Sequence, residues 1–96
     1  MPMFEVSVVP LGVAGESISR FVKVSLEEIA ASGLPHRLTP MGTCISGSYA
    51  QVAAVLEKIH ARYRAMGVPR VSASIKVDDR FDKELTFDGK LKAVTG

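Results

Sequence analysis

The chain has one cysteine, Cys44, and neither tryptophan nor asparagine. A lone thiol cannot close an intramolecular disulfide, and two histidines beside it are too few for a Cys/His zinc site within one chain. These counts predict a reduced, cytoplasmic setting and no resident metal or cofactor. No apolar run approaches the ~20 residues of a membrane helix. The opening Met1-Pro2-Met3-Phe4-Glu5 sets an acid where an export signal needs basic and then apolar residues. The 12 basic and 10 acidic residues are dispersed, leaving a formal charge of +2 and no basic block. Neither nucleic acid nor an anionic membrane is therefore an expected partner.

What is present suits one folded domain spanning residues 1–96. At 96 residues there is no room for two domains, and with 47% hydrophobic residues a core is within reach. A chain this short buries only about 60–65% of its unfolded surface, so association of copies into a dimer or a dimer of dimers is expected to add stability.

Along the chain, Phe4, Val6 and Val8 alternate with Glu5 and Ser7, the pattern of a half-buried strand. Pro10-Leu11-Gly12 ends it, and Ser17 is placed to cap a helix whose apolar stripe is Ile18, Phe21, Val22, Ser25, Leu26 and Ile29. Gly33 marks the stop. Two extended runs, residues 36–41 and 43–46, flank Gly42. Ser48 with Gln51 three residues on forms a capping box for a second helix with the stripe Val52, Val55, Leu56, Ile59 and Tyr63. Gly67 and Pro69 close that helix. Val71, Ala73, Ile75 and Val77 then alternate with Ser72, Ser74, Lys76 and Asp78 as a last strand. Asp88 is a candidate cap for a short helix through Leu91 and Val94.

This order predicts an α+β domain of ferredoxin-like βαββαβ type. The sheet should have four antiparallel strands with two helices on one face and a short C-terminal helix. The first and third strands should be central. The other sheet face would carry Glu5, Ser7, Ser72, Ser74 and Lys76. That face is either plainly solvated or shared with another subunit or a ligand.

No catalytic constellation stands out. The loop over residues 10–15 precedes a helix but lacks the Gly-Lys-Ser/Thr ending of a phosphate loop, although helix-terminal N–H groups there favour anions or polar ligand atoms. Acylphosphatase chemistry needs an arginine close to the loop glycines and an asparagine. Arg20 lies inside the helix instead, and asparagine is absent. Ser72 and Ser74 are no stacking platform for RNA bases. His60 reads as a packed or rim residue and Cys44 as a small buried hydrophobe. Tyr49 and Tyr63 either cap a core or line a pocket. The densest polar cluster is Asp78-Asp79-Arg80-Phe81-Asp82. It is either a solvated strand end or a place where carboxylates, held by Arg80, meet a cationic or amino-bearing ligand.

Three segments then resemble one family. Val9-Pro10-Leu11-Gly12 with Ser17-Ile18-Ser19, Met41-Gly42-Thr43, and Ile75 through Asp82 look, in order and at matching separations, like the small thiamine-binding protein family related to YkoF. The resemblance fades after Phe81. Val13 departs from it, standing where members often carry a hydroxyl. The resemblance implies a ferredoxin-like domain that assembles as dimers and commonly tetramers. It also implies binding of thiamine or its hydroxymethylpyrimidine part, with no established catalysis. Against that ligand, Gly12, Ser17, Ser19 and Thr43 would supply directed polar groups. Asp78 and Asp79 would face its charged or amino-bearing side, and Phe81 or Tyr49 would form a wall.

Three classes follow: a non-catalytic binder of thiamine-like heterocycles in salvage, transport or sensing; an oligomeric structural or regulatory domain with no physiological small ligand; and an enzyme on a thiamine precursor, for which no acid–base pair can be named.

Overall fold

The alternating runs and the two apolar helical stripes become a single layered unit. A computed structural model describes residues 1–13 and 18–95. The elements are β1 (Met3–Leu11), α1 (Ile18–Ala31), β2 (His36–Thr39), β3 (Gly42–Ser46), α2 (Tyr49–Ala65), β4 (Arg70–Asp78) and α3 (Phe87–Thr95). The strands form one antiparallel sheet in the order β2-β3-β1-β4, so the first and third strands are central.

Period-two alternation decides which side chains meet the helices. Phe4 and Val6 of β1 and Ile45 of β3 join Phe21, Val24 and Ile29 of α1 in one buried cluster with Val52, Val55, Ile59 and Tyr63 of α2. Phe21 and Tyr63 pack edge to face at 5.3 Å between ring centres. The α2 stripe is as its spacing predicts, and its capping box forms, Ser48 Oγ accepting from the Gln51 N–H while Gln51 Oε1 accepts from the Ser48 N–H. Both helices are followed by the glycines the sequence marks, Gly33 and Gly67.

Several expectations are corrected. The α1 stripe is rotated: Val24 is buried, whereas Ile18 and Val22 stay exposed. The run from His36 ends as a strand at Thr39, because Pro40 and Met41 form the turn that the Thr39–Gly42 pairing closes. The α3 cap is Thr86, not Asp88: Thr86 Oγ1 accepts from the Gly89 N–H, leaving Asp88 in the first turn. Cys44 is half-buried rather than buried, since its partner across the ladder is Glu5, on the face away from α1 and α2. His60 faces solvent. Ser17 lies outside the described residues, so its role as helix cap is not described.

Two helices do not cover four strands. On β4, Ile75 and Val77 point to the helix side, as their partners Val6 and Phe4 do, yet remain 51% and 48% exposed. On the opposite face α3 approaches through polar contacts. Arg37 pairs with Asp88 at 3.1 Å and lies over the Phe87 ring, and Lys90 pairs with Asp78. No residue of α3 is buried. No described helix is long and apolar enough to cross a membrane.

Candidate functional site

The exposed apolar residues of α1 have a common destination. Ile18 and Val22, 54% and 38% exposed, face Leu38 and Met41 of the β2–β3 hairpin, 58% and 83% exposed, across a cleft of about 200 Å³. Its inner lining includes Val6, Ile29 and Ile59, and its hydroxyl-bearing members are Ser7, Ser25, Thr39 and Thr43. Thr43 is buried and stands opposite Val6, which puts it on the helix side of the sheet. Ser25 Oγ shares a 2.7 Å hydrogen bond with the Tyr63 hydroxyl, which in turn donates to the Phe21 carbonyl at 2.8 Å. Burial raises the Tyr63 pKa and the Ser25 bond only partly opposes it, so the phenol stays neutral.

Two glycines shape the strands that bear on this cleft. A Cβ on Gly42 would meet the Val6 carbonyl oxygen at 2.8 Å, so only glycine lets the start of β3 approach β1 this closely. Gly12 has φ +79°, and a Cβ there would meet Pro69 at 2.8 Å. Both positions have a backbone reason to be glycine apart from any ligand.

A second cleft, of about 350 Å³, lies on the opposite face at the other end of β1, bounded by Met3, Glu5, Cys44, Lys76, Asp78 and Lys90. Desolvation, then the charge of Glu5, raises the Cys44 pKa, so this thiol is protonated and a poor nucleophile near neutral pH. Among the described residues no group of three or more His, Cys, Asp and Glu could hold a metal ion.

The structure divides the residues singled out in the sequence. Thr43 lines the first cleft and Ser19, exposed, follows Ile18 at its rim. Gly12 lies beyond the end of β1 on that side of the molecule, and Ser17 is not described. Asp78 pairs with Met3 at the far end of β1, about 30 Å from Gly12 at the ~3.3 Å rise of a strand residue. Asp79 accepts a 3.2 Å hydrogen bond from Tyr49, whose ring packs edge-on against Phe4 at 5.2 Å. Desolvation and that bond raise the Tyr49 pKa. Phe81 is 92% exposed and lines none of the clefts described above. Arg80 does not hold Asp78 and Asp79. It clamps Asp82 through two bonds of 2.6 and 2.9 Å, which lowers the Asp82 pKa. Within one subunit the loop-side group and the carboxylate cluster therefore do not meet one small ligand. Ser25, Ile18, Val22, Leu38 and Met41 were missed as cleft residues. A hydroxyl inside an apolar helical stripe and two large apolar residues flanking Pro40 were the available signals.

The ferredoxin-like domain thus carries an apolar cleft with hydroxyl groups in its lining, between helix and hairpin. The chain belongs to the thiamine-binding protein family, whose sequence profile matches residues 4–95. It is 35% identical over 98 residues to the UPF0045 protein YqgV of Bacillus subtilis, covering 98% of this chain and 94% of that one. The crystal structure of MJ1052 from Methanocaldococcus jannaschii superposes with a TM-score of 0.86 at 35% identity, over 97% of this chain and 94% of the other. A candidate thiamine biosynthesis/salvage protein of Thermotoga maritima shares the fold, with a TM-score of 0.78 at 18% identity over 97% of each chain.

Proposed function

We propose that the protein binds thiamine through its hydroxymethylpyrimidine part, or that pyrimidine alone, in the cleft between α1 and the β2–β3 hairpin, and performs no chemistry on it. The observation that carries this is the convergence of four exposed apolar side chains, Ile18, Val22, Leu38 and Met41, on a cleft with Thr43 and Ser25 among its lining residues. Exposed apolar groups gathered around an opening with a few polar atoms inside are what a flat heteroaromatic ring requires. At about 200 Å³ the cleft falls below the ~300–1,000 Å³ of drug-sized sites and suits one ring with small substituents. Family membership supplies the ligand class.

Two features favour binding over turnover. The described lining side chains include no carboxylate, imidazole, amine or thiol, so none of them can serve as a general acid or base near neutral pH. Nor do any of them offer a counter-charge to a thiazolium, which favours the neutral pyrimidine as the enclosed part.

Calorimetric titration with hydroxymethylpyrimidine and with thiamine tests the proposal. Thr43→Val keeps the side-chain shape and removes the hydroxyl. Losing one hydrogen bond of about 0.5–1.5 kcal/mol should weaken binding about 2- to 12-fold. Saturable binding without consumption of the ligand is the expected result. Absence of heat and of thermal shift at millimolar ligand would leave the oligomeric structural or regulatory domain as the better account. Turnover of a precursor would make the protein an enzyme.

A further inference from the structure

The hydrogens in the cleft between α1 and the hairpin can be assigned one by one. The Tyr63 phenol has a single hydrogen, and the Phe21 carbonyl, which can only accept, takes it at 2.8 Å. In the 2.7 Å contact between Tyr63 and Ser25 the hydrogen must therefore come from Ser25. The Tyr63 pKa agrees: burial raises it, and the Ser25 bond opposes that rise, as a hydrogen donated to the phenol oxygen does. Ser25 has thus spent its only hydrogen within the protein and keeps lone pairs alone for a ligand. Thr39 is in the same state, its hydroxyl donating to the Gly42 carbonyl at 2.9 Å.

Thr43 differs. It is only 6% exposed and lines the cleft, yet its hydroxyl makes no hydrogen bond. A hydroxyl so deeply buried normally has a partner, and here the open side is the cleft. Ser7 follows Val6 on β1 and by alternation points to the other face of the sheet. Three hydroxyls therefore bear on the cleft: two can only accept, and one can donate or accept. The lining side chains include no N–H group. Such a lining is short of hydrogens and rich in lone pairs.

We infer that Ser25, held as an acceptor by Tyr63, is a specificity-determining residue: the cleft takes an amino-substituted ring and rejects the oxo form of the same ring. The inference rests on the pyrimidine reading above and adds which substituent is recognised. An amino group at position 4 of the pyrimidine meets the Ser25 lone pairs with a hydrogen. The carbonyl that replaces it on deamination sets lone pair against lone pair. Tyr63 is not among the residues lining the cleft. It is a positioning residue, acting only by claiming the Ser25 hydrogen.

The test is calorimetric titration of the full chain with 4-amino-5-hydroxymethyl-2-methylpyrimidine and with its 4-oxo counterpart. An acceptor left facing an acceptor should weaken the oxo compound about 5- to 150-fold relative to the amino compound. Tyr63→Phe returns the hydrogen to Ser25, whose hydroxyl can then turn and donate to a carbonyl, so the ratio should collapse toward parity. Ser25→Ala removes the acceptor. It should weaken the amino compound about 2- to 12-fold, leave the oxo compound little changed, and so narrow the ratio. A variant that is merely less stable weakens both compounds alike and keeps the ratio. Equal affinity of the wild type for the two rings, or a ratio unchanged in either variant, would overturn this inference and leave pyrimidine binding standing. Failure of both rings to bind at millimolar concentration would overturn the two together.

Discussion

Tyr63 shows how much one side chain can join. Its ring is fully buried against Phe21, and its hydroxyl meets the Phe21 carbonyl and Ser25, linking α2 to both the core and the lining of the cleft. Tyr63→Phe removes the hydroxyl from two partners and should cost about 1 kcal/mol, seen as a lower urea midpoint at unchanged slope. The same residue sets an alkaline limit. Its folded-state pKa is raised above the ordinary 10.0, so the unfolded chain loses this proton first. The stability it contributes is full below pH 10 and falls as pH rises beyond it. The phenolate absorbance should therefore rise in two stages. Exposed Tyr49 should titrate reversibly in the folded protein, and Tyr63 should titrate only together with loss of the fold. A single stage with the fold intact would contradict the burial of Tyr63.

Among the elements, those governed by local chemistry were legible in the sequence. The capping box at Ser48, the stripe of α2 and the alternation of β1 and β4 depend on neighbours a few residues away, and each is present as read. What depends on distant partners was not legible. Ile75 and Val77 carry a full strand pattern yet stay about half exposed, because the core cluster takes in Val71 at the start of β4 and not these two. Thr43 and Asp78 were assigned to one site, but their faces follow from the register that opposes Val6 to Thr43 and Met3 to Asp78. No local pattern states that register. Gly42 is where local and distant meet, since its missing Cβ is what lets β3 lie close to the Val6 carbonyl. Gly42→Ala must push backbone against backbone and should destabilise by about 1–3 kcal/mol. It should also shift the Thr43 amide resonance and weaken pyrimidine binding. Wild-type stability in that variant would show that the strand can recede without cost.

On the scale of the whole molecule, stability is unevenly spread. The core holds β1, β3, α1 and α2 together, whereas α3 has no buried residue and is tied on by exposed pairs, Arg37 with Asp88 and Lys90 with Asp78. Each such pair is worth about 0–1 kcal/mol and weakens with salt. The α3 amides should accordingly exchange first, and faster in high salt, while those of β1 and α2 stay protected. Equal protection across α3 and α2 would mean that α3 is held by more than these contacts.

The proline-bracketed β2 edge has a consequence for growth. A strand edge that accepts another copy is also the route to open-ended fibres, and a molecule with two such edges adds subunits without limit. Here Pro35 and Pro40 bracket one edge, so among the described residues only β4 presents a long open edge. Any sheet extended along β4 would therefore meet no second long edge from which to grow further.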